Sequence, residues 1–137
     1  MSGLPSFIRL DIVTPDRLVQ SEEEVLEVVI PGSEGYLGVL PGHLPLLTTI
    51  GIGALSFRKG AKKFTFSVSG GFAEILPDRV IIMADVLERP EEIDVQRAHI
   101  AKDRAEKFFA SKDVVDVDQA MSALLRATSR LHVAEMK

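Results

Sequence analysis

The chain contains no cysteine and no tryptophan, and its single tyrosine is Tyr36. Without thiols, disulfide frameworks, cysteine-based zinc sites and thiol nucleophiles are all excluded, which suits a reducing compartment. Aromatic residues make up 6% of the chain, so stacking platforms for bases or sugars are scarce. Basic side chains are outnumbered: 16 Lys and Arg against 20 Asp and Glu, a net charge of -4 at pH 7. The phosphate neutralisation that drives general nucleic-acid binding has no source in that balance. No apolar run approaches the roughly 18 residues that a membrane-spanning helix needs. The opening stretch MSGLPSFIRLDIV lacks the basic, apolar and cleavage segments of a secretory signal, which predicts a cytosolic chain.

What remains is an ordinary globular composition, 46% hydrophobic and 26% charged in 137 residues, enough for one domain or one compact domain with a small appendage. From Phe7 to about Asp85 the pattern is that of strands. FIRLDIV alternates Ile8, Leu10 and Ile12 with Arg9 and Asp11, as a strand with one wet face requires. Turn signals at Thr14, Pro31, Pro41, Ile50, Arg58, Ser69 and Leu76 separate short runs rich in Val, Ile and Phe. This spacing predicts an all-β sandwich or flattened barrel. The firmest strands are VLEVVI, ALSF, FTFSV and VIIMAD. ALSFRKGAKKFTFSV reads as a hairpin with Lys59, Gly60, Lys62 and Lys63 at its tip, either an anion site or a solvated end.

Glycine and proline vanish from Ile93 onward, and the period becomes helical. One stripe carries Ala98, Ala101, Ala105, Phe108 and Phe109; a second carries Ala120, Ala123, Leu124, Ala127, Leu131 and Ala134. Small residues on both stripes let two helices approach closely, and an antiparallel hairpin turning near SKDV follows. Ile93-Asp94-x-x-Arg97-Ala98 is echoed by Val115-Asp116-x-x-Gln119-Ala120. In each, the aspartate fits the N-cap position after an apolar residue.

His43, inside GYLGVLPGHLPLLT, is a candidate general base, but no neighbouring residues form a triad or metal pair. The competing reading is structural, its ring hydrogen-bonding the irregular backbone between two prolines. GSEGYLG and SVSGG match no phosphate loop, and SEEEVLE lacks calcium-loop spacing. Arg126 and Arg130 are four apart on one helix face, and antiparallel folding brings Arg97 toward Arg130. Guanidiniums gathered there, with Asp94 close by, suit either a phosphate-bearing ligand or a solvated face with ion pairs.

Taken together, GSEGYLGVLPGHLPLLT, SVSGGFAEILPDRVIIMAD, IDVQRA and the C-terminal RLHVAEMK make the chain resemble the epsilon subunits of bacterial F-type ATP synthases, from about Ile8 onward. The resemblance implies an α+β architecture: an N-terminal β-sandwich over 1–88 that binds the rotor, then a regulatory antiparallel helical hairpin over 89–137. It implies a non-catalytic central-stalk subunit linking gamma to the c-ring during proton- or sodium-driven ATP synthesis. Its mobile helices reach the alpha/beta hexamer and inhibit ATP hydrolysis, with Arg126 and Arg130 meeting acidic residues of the beta subunit.

Some members of that family bind ATP through an I/L-D-x-x-R-A motif and arginines of the second helix. By that resemblance Glu88, Asp94, Arg97, Ala98, Arg104, Arg126 and Arg130 are candidates to hold regulatory ATP. Glu34, Gly35 and Tyr36 match the loop facing the c-ring, and His43 supports the sandwich near gamma. No catalytic residue, metal or required cofactor is implied. Membrane contact comes only through the complex, at the cytoplasmic face of the bacterial plasma membrane. The alternative is a stand-alone nucleotide-sensing protein.

Overall fold

A computed structural model of the chain describes residues 3–111 and 116–136. The interhelical turn expected at SKDV lies, past Ser111, outside them, as does Val115 of the echoed helix start. Eight strands are observed: β1 (Ile8–Val13), β2 (Leu18–Val25), β3 (Glu27–Gly32), β4 (Gly35–Val39), β5 (Leu46–Thr49), β6 (Ile52–Lys59), β7 (Lys62–Leu76) and β8 (Arg79–Glu88). A 3-10 turn (Pro90–Glu92) leads to α1 (Val95–Ala110) and α2 (Val117–Ala134).

The strands hydrogen-bond in the order β2-β1-β8-β7-β6-β3-β4, with β5 added to β7. β1 and β8 run parallel; the other pairs are antiparallel. Edge strand β2 continues through Leu26 into β3 at the far side of the same sheet, and the Leu26 N–H donates to the Arg58 carbonyl at 2.8 Å. Lys59 of β6 reaches back to Glu22 of β2 at 2.9 Å. The sheet therefore curls into the expected flattened sandwich. Alternation fills its interior with Ile8, Leu10, Ile30, Phe57, Val68 and Ile82, all essentially inaccessible. The single segment VLEVVI is two strands, split at Leu26.

β7 serves both layers by bending. Its first half pairs with β6 and its second with β5, and the bend falls at Gly70 (φ +78°) and Gly71 (φ +123°). A β-carbon on Gly71 would run into the Met83 carbonyl and lie 2.9 Å from Ala84 Cα. Only glycine meets both demands.

On β1, Asp11 points away from the core yet is 8% exposed. The Ser21 hydroxyl donates to its Oδ1 at 2.6 Å and Arg79 Nη2 to its Oδ2 at 3.1 Å. The Ser21 bond foremost, with Arg79 and Arg9 acting in the same sense, holds its carboxyl below the ordinary range against the opposing pull of desolvation. Glu22 is lowered by Lys59 first and then Gln20. Their contribution to stability is therefore complete above the unfolded carboxylate range, about pH 4, and is lost as pH falls through the lower folded values. Asp11→Asn is expected to cost about 1–2 kcal/mol at pH 7 and to flatten the decline below about pH 4. Urea titrations across that range check it; an equally steep decline in the variant would place its origin elsewhere.

Both helices begin as their sequences predict: Asp94 Oδ1 accepts from the Arg97 N–H and Asp116 Oδ1 from the Gln119 N–H, each at 3.0 Å. α2 packs across β6, β7 and the 3-10 turn, whereas α1 packs chiefly on α2. Ala98, Ala105, Ala120 and Ala127 are buried, and a small cluster of Ile93, Val133 and Ala134 sits on Ala54 of β6. Phe108, placed on the packing stripe by its period, stands 37% exposed.

Candidate functional site: the seam between sandwich and hairpin

Glu88 ends β8 in register with Ser67 of β7, beneath α2. Arg130 meets it with both arms of its guanidinium, Nε donating to Oε1 at 2.7 Å and Nη2 to Oε2 at 3.0 Å. Each side chain is 24% exposed. One turn earlier on α2 is Arg126, and Arg97 comes from the first turn of α1. All four line a cleft of about 350 Å³ whose sheet wall includes Ile52, Ser67, Ser69 and Val86 and whose helix wall is alanine-rich.

The cleft thus gathers three guanidiniums and one carboxylate, which Arg130 alone engages. Among the described residues neither Arg97 nor Arg126 has an ion pair. Chemically, the cleft suits an anion that also carries an apolar portion.

Other residues of the sequence-derived set have different places. Asp94 is occupied as the α1 cap. Ala98 is fully buried and keeps the helices close. Arg104 is absent from the seam; it lines a separate hollow of about 310 Å³ between the helices, with Phe108 and Gln119. No group of three His, Asp or Glu able to hold a metal occurs among the described residues.

Glu34 sits in the turn joining β3 to β4, and Gly35 follows with φ +133°. Tyr36 does more than face solvent. The pairing of β3 with β6 ends at Val29 and Ser56; Pro31 beyond it has no N–H, and the Tyr36 hydroxyl accepts the Ala54 N–H at 3.0 Å. Its ring lies over Gly53, where a β-carbon would meet Pro31 Cβ at 2.7 Å.

His43 lies beyond the opposite end of β4, so the structure separates it from Glu34, Gly35 and Tyr36. Its Nδ1 donates to the Leu44 carbonyl at 2.6 Å, and the loop is tied down by the Gly42 N–H donating to the Pro77 carbonyl at 2.7 Å. Between buried Val39 and Ile50 this crossover turns Leu40, Leu44, Leu46 and Leu47 outward. Its leucines thus serve a surface more than a core. Leu47 pairs with Glu74 of β7 and lies diagonal to Phe72, which in turn pairs with Met83 of β8; these three exposed apolar side chains share one side of the sheet. Sequence reading missed this face, although Phe72 and Met83 occupy outward positions in their alternation.

A sandwich with a hairpin laid across it, joined through an arginine-lined seam, defines a two-part protein of the sandwich-and-hairpin class. Residues 7–90 match the family described as ATP synthase, Delta/Epsilon chain, beta-sandwich domain, and residues 91–135 its long alpha-helix domain. The chain belongs to the epsilon subunits of the F-type ATP synthases, components of the central stalk. It is 46% identical to the ATP synthase epsilon chain of Solibacter usitatus, over 98% of this chain and 100% of that one. It is 48% identical to that of Desulforamulus reducens, over 93% and 96%. A chain of the Euglena gracilis mitochondrial ATP synthase, solved with OSCP, F1 and c-ring, shares the fold with a TM-score of 0.83 at 27% identity, covering 99% of this chain and 85% of that one.

Proposed function

We propose that the sandwich joins gamma to the c-ring during proton- or sodium-driven ATP synthesis, while the hairpin restrains ATP hydrolysis by leaving the sandwich for the alpha/beta hexamer. One observation carries this reading: the sandwich core is complete without the helices, and the hairpin's seat is a small apolar cluster plus one bidentate ion pair. Such a seat separates two arrangements by only a few kcal/mol. In this assignment the face formed by Leu47, Phe72 and Met83 meets gamma, with the nearby His43 loop supporting it, and Glu34, Gly35 and Tyr36 face the ring.

Regulatory ATP occupies the seam in this reading, its phosphates between Arg97 and Arg126 beside Glu88 and Arg130. Asp94 and Ala98 shape the helix start, and Arg104 acts outside the cleft. Binding there stabilises the folded hairpin in proportion to occupancy. No described helix is long and apolar enough to cross a membrane, and the complex holds the chain at the cytoplasmic face of the bacterial plasma membrane.

Reconstitution of the ATPase with full-length chain and with a chain ending at Glu92 tests the assignment. The truncated chain is expected to assemble with gamma and to raise hydrolysis. With the full chain, rising ATP is expected to relieve inhibition, a response that Arg126→Ala weakens about tenfold. Unchanged hydrolysis on truncation would remove the inhibitory role, and failed assembly would remove the division of labour.

A further inference from the structure

Glu88 ends β8 and Arg89 follows it as the residue that opens the 3-10 turn; their side chains depart to different partners. Glu88 turns to the hairpin and holds Arg130. Arg89 turns to the sandwich, where its Nη2 donates to the Val19 carbonyl at 3.3 Å and to Gln20 Oε1 at 3.1 Å. Its guanidinium also lies 5.7 Å from the Phe66 ring centroid, and Nη1 donates to Glu92 Oε1 at 3.3 Å. The 3-10 turn that follows closes on itself, with the Glu92 N–H donating to the Arg89 carbonyl and the Ile93 N–H to the Pro90 carbonyl. Pro90 is buried. Immediately beyond, the chain joins the helices: Ile93 packs with Val133 and Ala134 of α2, the cluster that rests on Ala54 of β6, and Asp94 caps α1.

We propose that Arg89 is a positioning residue that fixes the pivot of the hairpin, so that the 3-10 turn stays clamped to β2 and β7 and the chain bends between Glu92 and Asp94. The proposal rests on the reading that the hairpin leaves the sandwich, and it adds where that movement is hinged. One arm of the guanidinium bonds both acceptors on β2, the other bonds Glu92 of the 3-10 turn, and the plane lies over an aromatic ring; this is a task for arginine, because an ammonium supplies neither the second arm nor the flat face. The strand end at Glu88 is then free to act as a latch without carrying the bending.

Amide NMR on the full-length chain tests this, with Glu88→Gln used to release the hairpin. The Ala54 resonance is expected to move, while Val19, Gln20 and Phe66 stay in place and exchange at the Glu92 and Ile93 amides remains at its wild-type rate. Adding Arg89→Ala is expected to shift the three clamp residues and to speed exchange at Glu92 and Ile93 about tenfold, with β6 and β7 core amides unchanged as proof of folding. Arg89→Lys should fall between. Loss of Glu92 and Ile93 protection with Arg89 intact would put the bend at the strand end and overturn the proposal, as would unchanged exchange in Arg89→Ala. An Ala54 resonance that never moves would remove the hairpin's departure itself.

Discussion

Gly71→Ala is expected to destabilise the sandwich by about 3–5 kcal/mol, enough to lower its melting temperature by roughly 10 °C or more. Two independent costs add at this position. Its φ of +123° lies where L-residues rarely go, and the new methyl would collide with backbone atoms of Met83 and Ala84 that hydrogen-bonded strands hold in place. Gly70 supplies the contrast. Its φ of +78° is also positive, but the nearest obstacle to a β-carbon is the Asp85 carboxylate at 2.6 Å, which can swing aside. Gly70→Ala should cost about 1–2 kcal/mol. Thermal melts of the two variants check the ranking; equal losses would mean that the close approach of β7 and β8 yields easily.

Substitutions in the seam are expected to act unequally on the two partners of one ion pair. Arg130→Gln leaves Glu88 beside Arg97 and Arg126, two cations able to compensate it in part, so docking of the hairpin should weaken by about 1 kcal/mol. Glu88→Gln leaves three guanidiniums around a neutral amide, and their mutual repulsion raises the loss to about 2 kcal/mol, more than tenfold in the docking equilibrium. Solvent screening limits both losses, since each partner is a quarter exposed. An added polyphosphate should restore docking in Glu88→Gln, where it replaces the missing negative charge, more than in Arg130→Gln. Energy transfer between a dye on the sandwich and one on α2 reads this directly, since a chain without cysteine takes engineered labels cleanly. Equal losses in both variants would show that Arg97 and Arg126 exert no field at Glu88.

The architecture was legible because period changes with fold here: alternation through Asp85, then alanine stripes and two aspartate caps. Arg97 was placed near Arg130 from antiparallel geometry alone, and the two line one cleft. Ser21-Glu22-Glu23-Glu24 has poor strand propensity, yet it lies within β2; as an edge strand bonded only to β1 it tolerates charge, which also discourages pairing with other chains. Asp11 had the pattern of a wet-face residue, and its burial depends on Ser21 and on Arg79, 68 residues away. Arg104 shares a helix with Arg97 but faces the interhelical hollow. Arg89 carried no local signal, since its acceptors on β2 lie about 70 residues upstream.

Each helix carries its own aspartate cap, and α1 rests on α2 instead of on the sandwich. Departure from the seat therefore melts no secondary structure. The 16 residues of α1, which follow the pivot directly, make a stiff rod about 24 Å long, so a modest rotation at its fixed end sweeps the far tip, and α2 with it, through a wide arc. The appendage is a lever rather than a tether, and its destination is set by angle and length instead of by diffusive search.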